Sequence, residues 1–315
     1  MAEVLLSPGV LARENDQSFL TTQPVQAGAA ILGPTVKGPV GIPTIVTTYS
    51  DYQNVFGAKI TSGSAEYTYL TSISAYNYFQ QGGDSLLVTR IVTGSYTEAT
   101  SSVVTNGDTS SSFTLETLSE GVDQNSSSSL GSSGQLAAGT ADNIRWEITA
   151  PNTASGTFAL LIRQGNDITN NKTVLETWPN LSLDPNSLNY IEKVIGNSKQ
   201  TVATDGTESY IQYSGEYNNA SRYVRVKEVL TPTLNYVDNA GAAKSEFTSS
   251  IPSAGEGVFN GATGTPFPAR AANFYGDINT TDTQGLTGAD YTTSVNLLKN
   301  QDLYQYNLIV APGLT

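Results

Sequence analysis

The residues that most resemble a reactive site occupy positions 83–86, where the chain reads Gly-Asp-Ser-Leu. This tetrapeptide is the sequence signature of a class of serine hydrolases. A nucleophilic serine needs an imidazole to accept its proton, and the chain contains no histidine. We therefore expect Asp84 and Ser85 to lie in a loop that leads into a strand, and a hydrolase remains only an alternative.

The composition removes other kinds of chemistry as well. With no cysteine, the chain has no disulfide, no thiolate nucleophile and no thiolate metal ligand. Histidine is the commonest general base and the commonest ligand of transition metals, so its absence excludes most hydrolase and transferase mechanisms. We predict no catalytic residue, no cofactor and no metal site, and we expect a protein that is not an enzyme.

Charge and hydropathy limit the partners. The 315 residues include 15 Lys and Arg against 28 Asp and Glu, which gives a net charge of −13. A nucleic-acid binder needs a basic face to neutralise phosphates, so nucleic acid is not expected as a partner. The sequence has no apolar run of membrane-spanning length and no signal-peptide pattern at its start. We predict a protein that is assembled in a cytosol and does not insert into a membrane.

Two stretches near opposite ends predict the elements of one α/β core. Residues 69–92 indicate a helix, a Gly-Gly-Asp break and a strand, and residues 290–315 repeat that order and end in a strand at 306–311. A helix that leads into a continuous apolar strand is typical of a parallel or mixed sheet covered by helices. Residues 29–33 and 44–47 predict further strands, followed by a short helix with Ser50 as N-cap and Gly57 after its end.

The middle of the chain has a different pattern. Alternating apolar and polar residues with turn signals between them are typical of a β-sandwich or a barrel-like domain. The predicted strands are 113–118, 144–148, 158–163, 173–178 and 223–229, with a short helix at 190–196. Ser-rich residues 101–112 and 124–139 predict loops or hairpin tips. Residues 231–282 are rich in Gly, Ala, Pro and Asn and predict a loop.

These elements predict an α+β multidomain fold, in which an α/β core carries an inserted β-rich domain and an extended N-terminal arm. The predicted divisions are an arm (1–23), the first part of the core (24–92), the inserted domain (93–230), a loop-rich return (231–282) and the second part of the core (283–315). With only two convincing helix–strand units, we expect this core to be incomplete. We expect either another chain or a C-terminal half beyond residue 315 to complete it.

The N-terminal arm is a candidate for subunit interaction. Its proline has no amide hydrogen, so the arm can pair only at the edge of a sheet. Strand donation to a neighbouring subunit would use backbone hydrogen bonds for affinity and alternate side chains for register. A frayed terminus is the alternative. The residues of the predicted arm strand are Val4, Leu5, Leu6, Pro8, Gly9 and Val10.

Five groups of residues, in order along nearly the whole chain, carry a resemblance to a known family. They are LLSPGV at 5–10 before Glu14 and Asp16; GAAILG at 28–33 with KGP at 37–39 and VFG at 55–57; the helix 69–80 with LVTRIV at 87–92; ETWPNLSLDPNS at 176–187 with YI at 190–191 and VIGNS at 194–198; and NLIVAPG at 307–313. Together they resemble the sheath proteins of contractile phage tails and related contractile injection systems.

The resemblance implies a structural subunit of a virion tail, assembled in the host cytoplasm. In that family, six subunits form a ring, the rings stack helically around a tail tube, and contraction drives the tube through the target cell envelope during genome ejection. The implied partners are other sheath subunits, the tail tube protein, the baseplate and the tail terminator. The family's core also has a C-terminal half, which we expect to lie beyond residue 315 of a longer protein or in a second chain. The alternative from another class is a β-rich viral surface or receptor-binding module that resembles an adhesin.

Overall fold

The computed structural model describes residues 25–62, 65–106, 110–266 and 284–314. Within these ranges the fold is α+β, as predicted. The strands are β1 Val25–Gly33, β2 Thr44–Val46, β3 Ile60–Ser62, β4 Ala65–Tyr67, β5 Leu86–Arg90, β6 Glu98–Val104, β7 Ser111–Glu120, β8 Ile144–Asn152, β9 Thr157–Gln164, β10 Val174–Ser182, β11 Lys199–Asp205, β12 Glu208–Ser214, β13 Val224–Val229, β14 Gly255–Val258 and β15 Tyr304–Val310. The helices are α1 Tyr49–Phe56, α2 Leu70–Gln80, α3 Ile191–Ile195, α4 Ser245–Thr248 and α5 Thr292–Leu298.

A four-stranded mixed sheet, which we call the core sheet, has the strand order β15-β1-β5-β2. β1 pairs in parallel with both of its neighbours, with Ala29 opposite Leu86 on one side and opposite Leu308 on the other. β2 pairs with β5 in the antiparallel direction. All residues of β5 are buried, as expected for a strand whose two faces are both covered. The two stretches that predicted an α/β core therefore do contribute strands to one sheet.

Helices cover both faces of the core sheet. On one face, Tyr52 and Phe56 of α1 and Ala75 of α2 pack against the inward residues of β1 and β5. On the other face, Leu297 and Leu298 of α5 form a second cluster with the alternate residues of the same strands. Burial of these apolar side chains on both faces is the main contribution to the stability of the sheet.

The ends of α1 confirm one prediction and correct another. Gly57, with φ of 73°, ends the helix as predicted. The N-cap is Thr48, whose Oγ1 accepts a hydrogen bond from the backbone N–H of Asp51 at 3.0 Å, so the prediction of Ser50 is wrong. Both residues are good capping types, and the cap lies two residues earlier because Thr48 has the extended backbone that an N-cap requires.

Two antiparallel sheets contain most of the remaining strands, in the orders β10-β9-β8-β14 and β13-β7-β6. Their apolar residues form one shared cluster, in which the rings of Phe113 and Phe158 stack with centroids 5.6 Å apart. Among the described residues no sheet closes on itself, so the barrel-like alternative is not observed. The proposed domain boundaries remain predictions.

Several strands lie where loops were predicted or where no element was predicted. β6 includes Ser101 and Ser102 of a Ser-rich stretch, and β14 lies within residues 231–282 and pairs with β8. The hairpins β3–β4 and β11–β12 were not predicted. β11 and β14 lack an apolar alternation because their backbones pair with a neighbour while few of their side chains are buried.

Gly257 in β14 lies at a closely packed position of the sheet β10-β9-β8-β14. It lies opposite Trp146 of β8, and a Cβ atom at Gly257 would be 2.3 Å from the buried indole ring. We predict that Gly257→Ala lowers the free energy of unfolding by about 1–3 kcal/mol, because the ring must move.

Gly255 is the matched control, since it lies two residues earlier in the same strand and a Cβ atom there would meet open space. Gly255→Ala should leave stability unchanged or raise it slightly. Urea denaturation followed by tryptophan fluorescence measures both variants. Equal stability of the two would contradict the close packing described for Gly257.

Candidate interaction surface

β15 forms one edge of the core sheet, with β1 as its single neighbour in the described part of the chain. Its sequence, Tyr-Gln-Tyr-Asn-Leu-Ile-Val, contains no charged residue and no proline. Proteins usually protect an exposed edge with charges, proline or a bulge, because its unpaired backbone groups can pair with another strand. Residues 307–310 carry none of these features, so within the described part of the chain their outer side is able to accept a strand.

Apolar side chains are exposed along the same strand. Leu308 is 58% exposed and Ile309 is 43% exposed. Consecutive residues of a strand point to opposite faces of the sheet, so both faces are uncovered at this point. We use the term β15 edge for the outer side of residues 307–310 together with these two side chains.

A groove lies beside the β15 edge, on the face of the core sheet that carries α2. Its volume is about 550 Å³, and most of its lining is apolar. Apolar lining residues include Ala29, Ile31, Leu86, Leu308 and Val310, and Tyr78 of α2 contributes to the wall. The groove and the edge together form one continuous apolar surface that could receive an extended segment with alternating side chains.

Asp84 and Ser85 lie in the loop before β5, as predicted. The Ser85 hydroxyl donates to Asp84 Oδ1 at 3.2 Å and accepts a hydrogen bond from the backbone N–H of Gly28 at 3.2 Å. Tyr78 Oη donates to the Ser85 carbonyl at 2.9 Å. These bonds fix the beginning of β5 against β1 and α2, so Ser85 has a structural role here.

The titratable groups around Ser85 are not arranged to activate its hydroxyl within the described residues. A cavity of about 960 Å³ opens beside it and is also lined by Asp84 and Lys299. The Lys299 ammonium group donates to Asn296 Oδ1 at 2.6 Å. No hydrogen bond between Ser85 and a basic side chain is present among the described residues, so no arrangement for activating the hydroxyl is seen there.

Arg90 connects the core sheet to the antiparallel sheets. The side chain is completely buried, and its Nη1 donates to the carbonyls of Gly38 at 2.7 Å and Glu120 at 2.8 Å. Its Nη2 donates to the Val36 carbonyl at 3.3 Å. The Gly38 N–H in turn donates to Ser119 Oγ at 2.7 Å. We call these five residues the junction. Burial lowers the pKa of Arg90 from its ordinary value.

The charged side chains of the antiparallel sheets form two ion-pair networks. In one, Arg163 contacts Asp167 at 2.8 Å, Glu147 at 2.9 Å and Glu256 at 2.6 Å, and Arg145 also pairs with Asp167. In the other, Arg225 contacts both Glu98 at 2.7 Å and Glu116 at 2.6 Å. These networks neutralise charges that would otherwise be costly to bury.

The arm residues Val4, Leu5, Leu6, Pro8, Gly9 and Val10 lie outside the described residues, and the interaction predicted for them stays a prediction. In the ranges that the structure describes, no group of three or more acidic residues could hold a metal ion. No helix in those ranges is long and apolar enough to span a bilayer. The sequence predicted β15 as a strand of a core that needs completion, but no residue pattern indicated the junction.

Comparisons with known proteins give only distant likenesses. No protein-family model matches the chain, and no curated protein matches it. Similar solved structures include a sheath tail protein from Listeria innocua, with 11% identity and a TM-score of 0.38, over 87% of this chain and 39% of that one. They also include a sheath tail protein from Desulfitobacterium hafniense, with 12% identity and a TM-score of 0.31, over 96% of this chain and 55% of that one.

The chain therefore spans 39% and 55% of the lengths of these two sheath tail proteins.

Arg90 should be more important for stability than an exposed arginine. We predict that Arg90→Lys lowers the free energy of unfolding by about 2 kcal/mol, because one ammonium group cannot replace the fork of donors and leaves buried carbonyls without partners. Chemical denaturation at pH 7 measures the change.

Arg222 is the control, since its side chain is 68% exposed and contacts Asp51 at 3.0 Å. Arg222→Lys should change stability by less than about 0.5 kcal/mol, as is usual for exposed ion pairs. If both variants lower the free energy of unfolding by a similar amount, the hydrogen bonds of the junction contribute no more to stability than an exposed ion pair.

Proposed function

We propose that this chain is a structural subunit of a contractile tail sheath. The observation that carries the proposal is the β15 edge, an uncharged strand with exposed apolar side chains at the rim of an α/β core. A subunit that is held in a polymer by strand pairing requires such an edge. The ordered motifs along the sequence support the same function.

In the proposed assembly, six subunits form a ring and the rings stack around a tail tube. The subunits also meet the baseplate and the tail terminator, and assembly takes place in the host cytoplasm before the sheath becomes part of the virion tail. The predicted arm of one subunit, which includes Leu5, Leu6 and Val10, pairs with an open sheet edge of a neighbour. We place the acceptor of this pairing at the β15 edge, because its residues are uncharged and its apolar side chains are exposed.

In this proposal, the free energy for contraction comes from contacts between subunits that are incomplete in the extended sheath and are completed on contraction. If each subunit buries a few hundred Å² more apolar surface on contraction, the gross gain is about 5–10 kcal/mol per subunit. Added over many subunits, this gain would move a tube through a cell envelope. The connecting strands would stay paired while the subunits rotate and slide.

Substitutions at the β15 edge test the proposal. We predict that the double variant Leu308→Asp and Ile309→Asp loses the ability to form ordered polymers, because charges would be buried wherever a strand pairs with β15. Negative-stain imaging for rings and tubes, with sedimentation to measure polymer size, compares the variant with the unaltered chain under the same conditions.

Leu188→Asp is the matched control, since Leu188 is 91% exposed and lies in the turn between β10 and α3. It should polymerise like the unaltered chain, and all variants should show the same thermal unfolding. Polymers that persist in the double variant would remove the β15 edge from the proposal. A chain that binds glycans and forms no ordered polymer would instead favour the receptor-binding alternative.

A further inference from the structure

The register of β6 and β7 places two glutamates side by side. Glu98 lies directly opposite Glu120 in this antiparallel pair. Like charges in directly opposite positions destabilise a sheet. Glu120 also belongs to the junction, where its carbonyl accepts from Arg90 and its N–H donates to the Gly38 carbonyl at 3.4 Å. The charge on Glu120 therefore lies where the core sheet meets the antiparallel sheets.

The nearby cations are distributed unequally between the two carboxylates. Glu98 contacts Lys199 and Arg225, both at 2.7 Å. Glu116, the neighbour on β7, also contacts Arg225 at 2.6 Å. Among the described ion pairs none includes Glu120, although Arg90 and Lys199 are close enough to favour its charged form. The backbone N–H of Val40, a neutral group, also favours the charged form of Glu120.

Other elements around Glu120 add both signs of charge. Glu98 and Glu120 line two cavities of about 350 and 510 Å³, which separate the core sheet from the antiparallel sheets. The charged groups that face Glu120 directly or across these cavities are Arg90 on β5, Glu98 on β6, Lys199 on β11, Arg225 on β13, Arg222 before β13, Asp51 on α1 and Asp290 before α5. Arg225 forms an ion pair with Glu98, whereas none of these cations forms an ion pair with Glu120 among the described residues.

Burial, together with the charge of Glu98, raises the pKa of Glu120 to about 7. A carboxyl group with a raised pKa in the folded state stabilises that state fully below its ordinary pKa near 4.5. The stabilisation is lost as the pH rises through about 7. Burial also raises the pKa of Asp123 to about 6. Asp123 faces Arg90, Asp142 and Lys37, and its ionisation likewise lowers the stability of the folded state as the pH rises.

We propose that Glu120 acts as a protonation switch of the junction. Its neutral form keeps the segment 36–41 bound between the core sheet and the end of β7. Its ionised form adds a second, unpaired charge beside Glu98, draws water into the two cavities and loosens the junction. This inference does not depend on the proposed function, since it follows from contacts within one chain.

Hydrogen–deuterium exchange of the full chain between pH 5.5 and 7.5 tests the switch. After correction for the intrinsic exchange rate at each pH, protection of residues 36–41 and 119–121 should fall by about tenfold over this range. Glu120→Gln, which has nearly the same shape and no charge, should abolish most of this fall. Glu208→Gln, at an exposed position of β12, should leave it unchanged.

A second variant tests the part played by the neighbouring carboxylate. Glu98→Gln removes the opposing charge and releases Lys199 and Arg225, so the midpoint of the loss of protection should move to lower pH by about one unit. The proposal is overturned if Glu120→Gln keeps the full pH dependence of the unaltered chain. It is also overturned if protection of residues 36–41 is the same throughout this pH range.

Discussion

The position of β1 between β5 and β15 is the constraint on which the rest of the structure depends. β1 pairs in parallel with both strands, so neither neighbour can be joined to it by a tight turn. The link from β1 to β5 contains β2, α1 and α2, and it builds one covered face. The link from β5 to β15 contains both antiparallel sheets and α5. The whole β-rich part of the chain is therefore a single crossover connection, and its two ends are fixed to strands that flank β1.

Sequence patterns predicted most of the strands that bury large apolar side chains and missed several that bury few. β5, β8 and β9 are recognisable because burial on one or both faces requires apolar residues at fixed positions. β11 and β12 are mostly polar and pair chiefly with each other, so only the Asp205-Gly206 turn could have indicated the hairpin. β14 is short and contains two glycines, one of which lies against Trp146.

The functional surfaces were harder to predict for a different reason. β15 was predicted as a strand from its apolar residues, yet the exposure of a strand depends on its neighbours, which its own residues do not specify. Arg90 forms its hydrogen bonds with backbone carbonyls, which every residue possesses, so no pattern of residue types marks the junction. The pairing of Glu98 with Glu120 requires the register of β6, and this strand lies partly in a Ser-rich stretch.

The parallel pairing of β15 with β1 also sets an order of events during synthesis. Val25 and Tyr304 are partners in the sheet, yet nearly the entire described chain lies between them. Contacts of such separation form late, because the intervening chain must first be ordered or held together at an entropic cost. On the ribosome, β1 and β5 can pair early, while the other side of β1 stays open until β15 emerges. During that interval a nascent chain offers β1 to any strand nearby, so its neighbours on crowded polysomes are potential wrong partners.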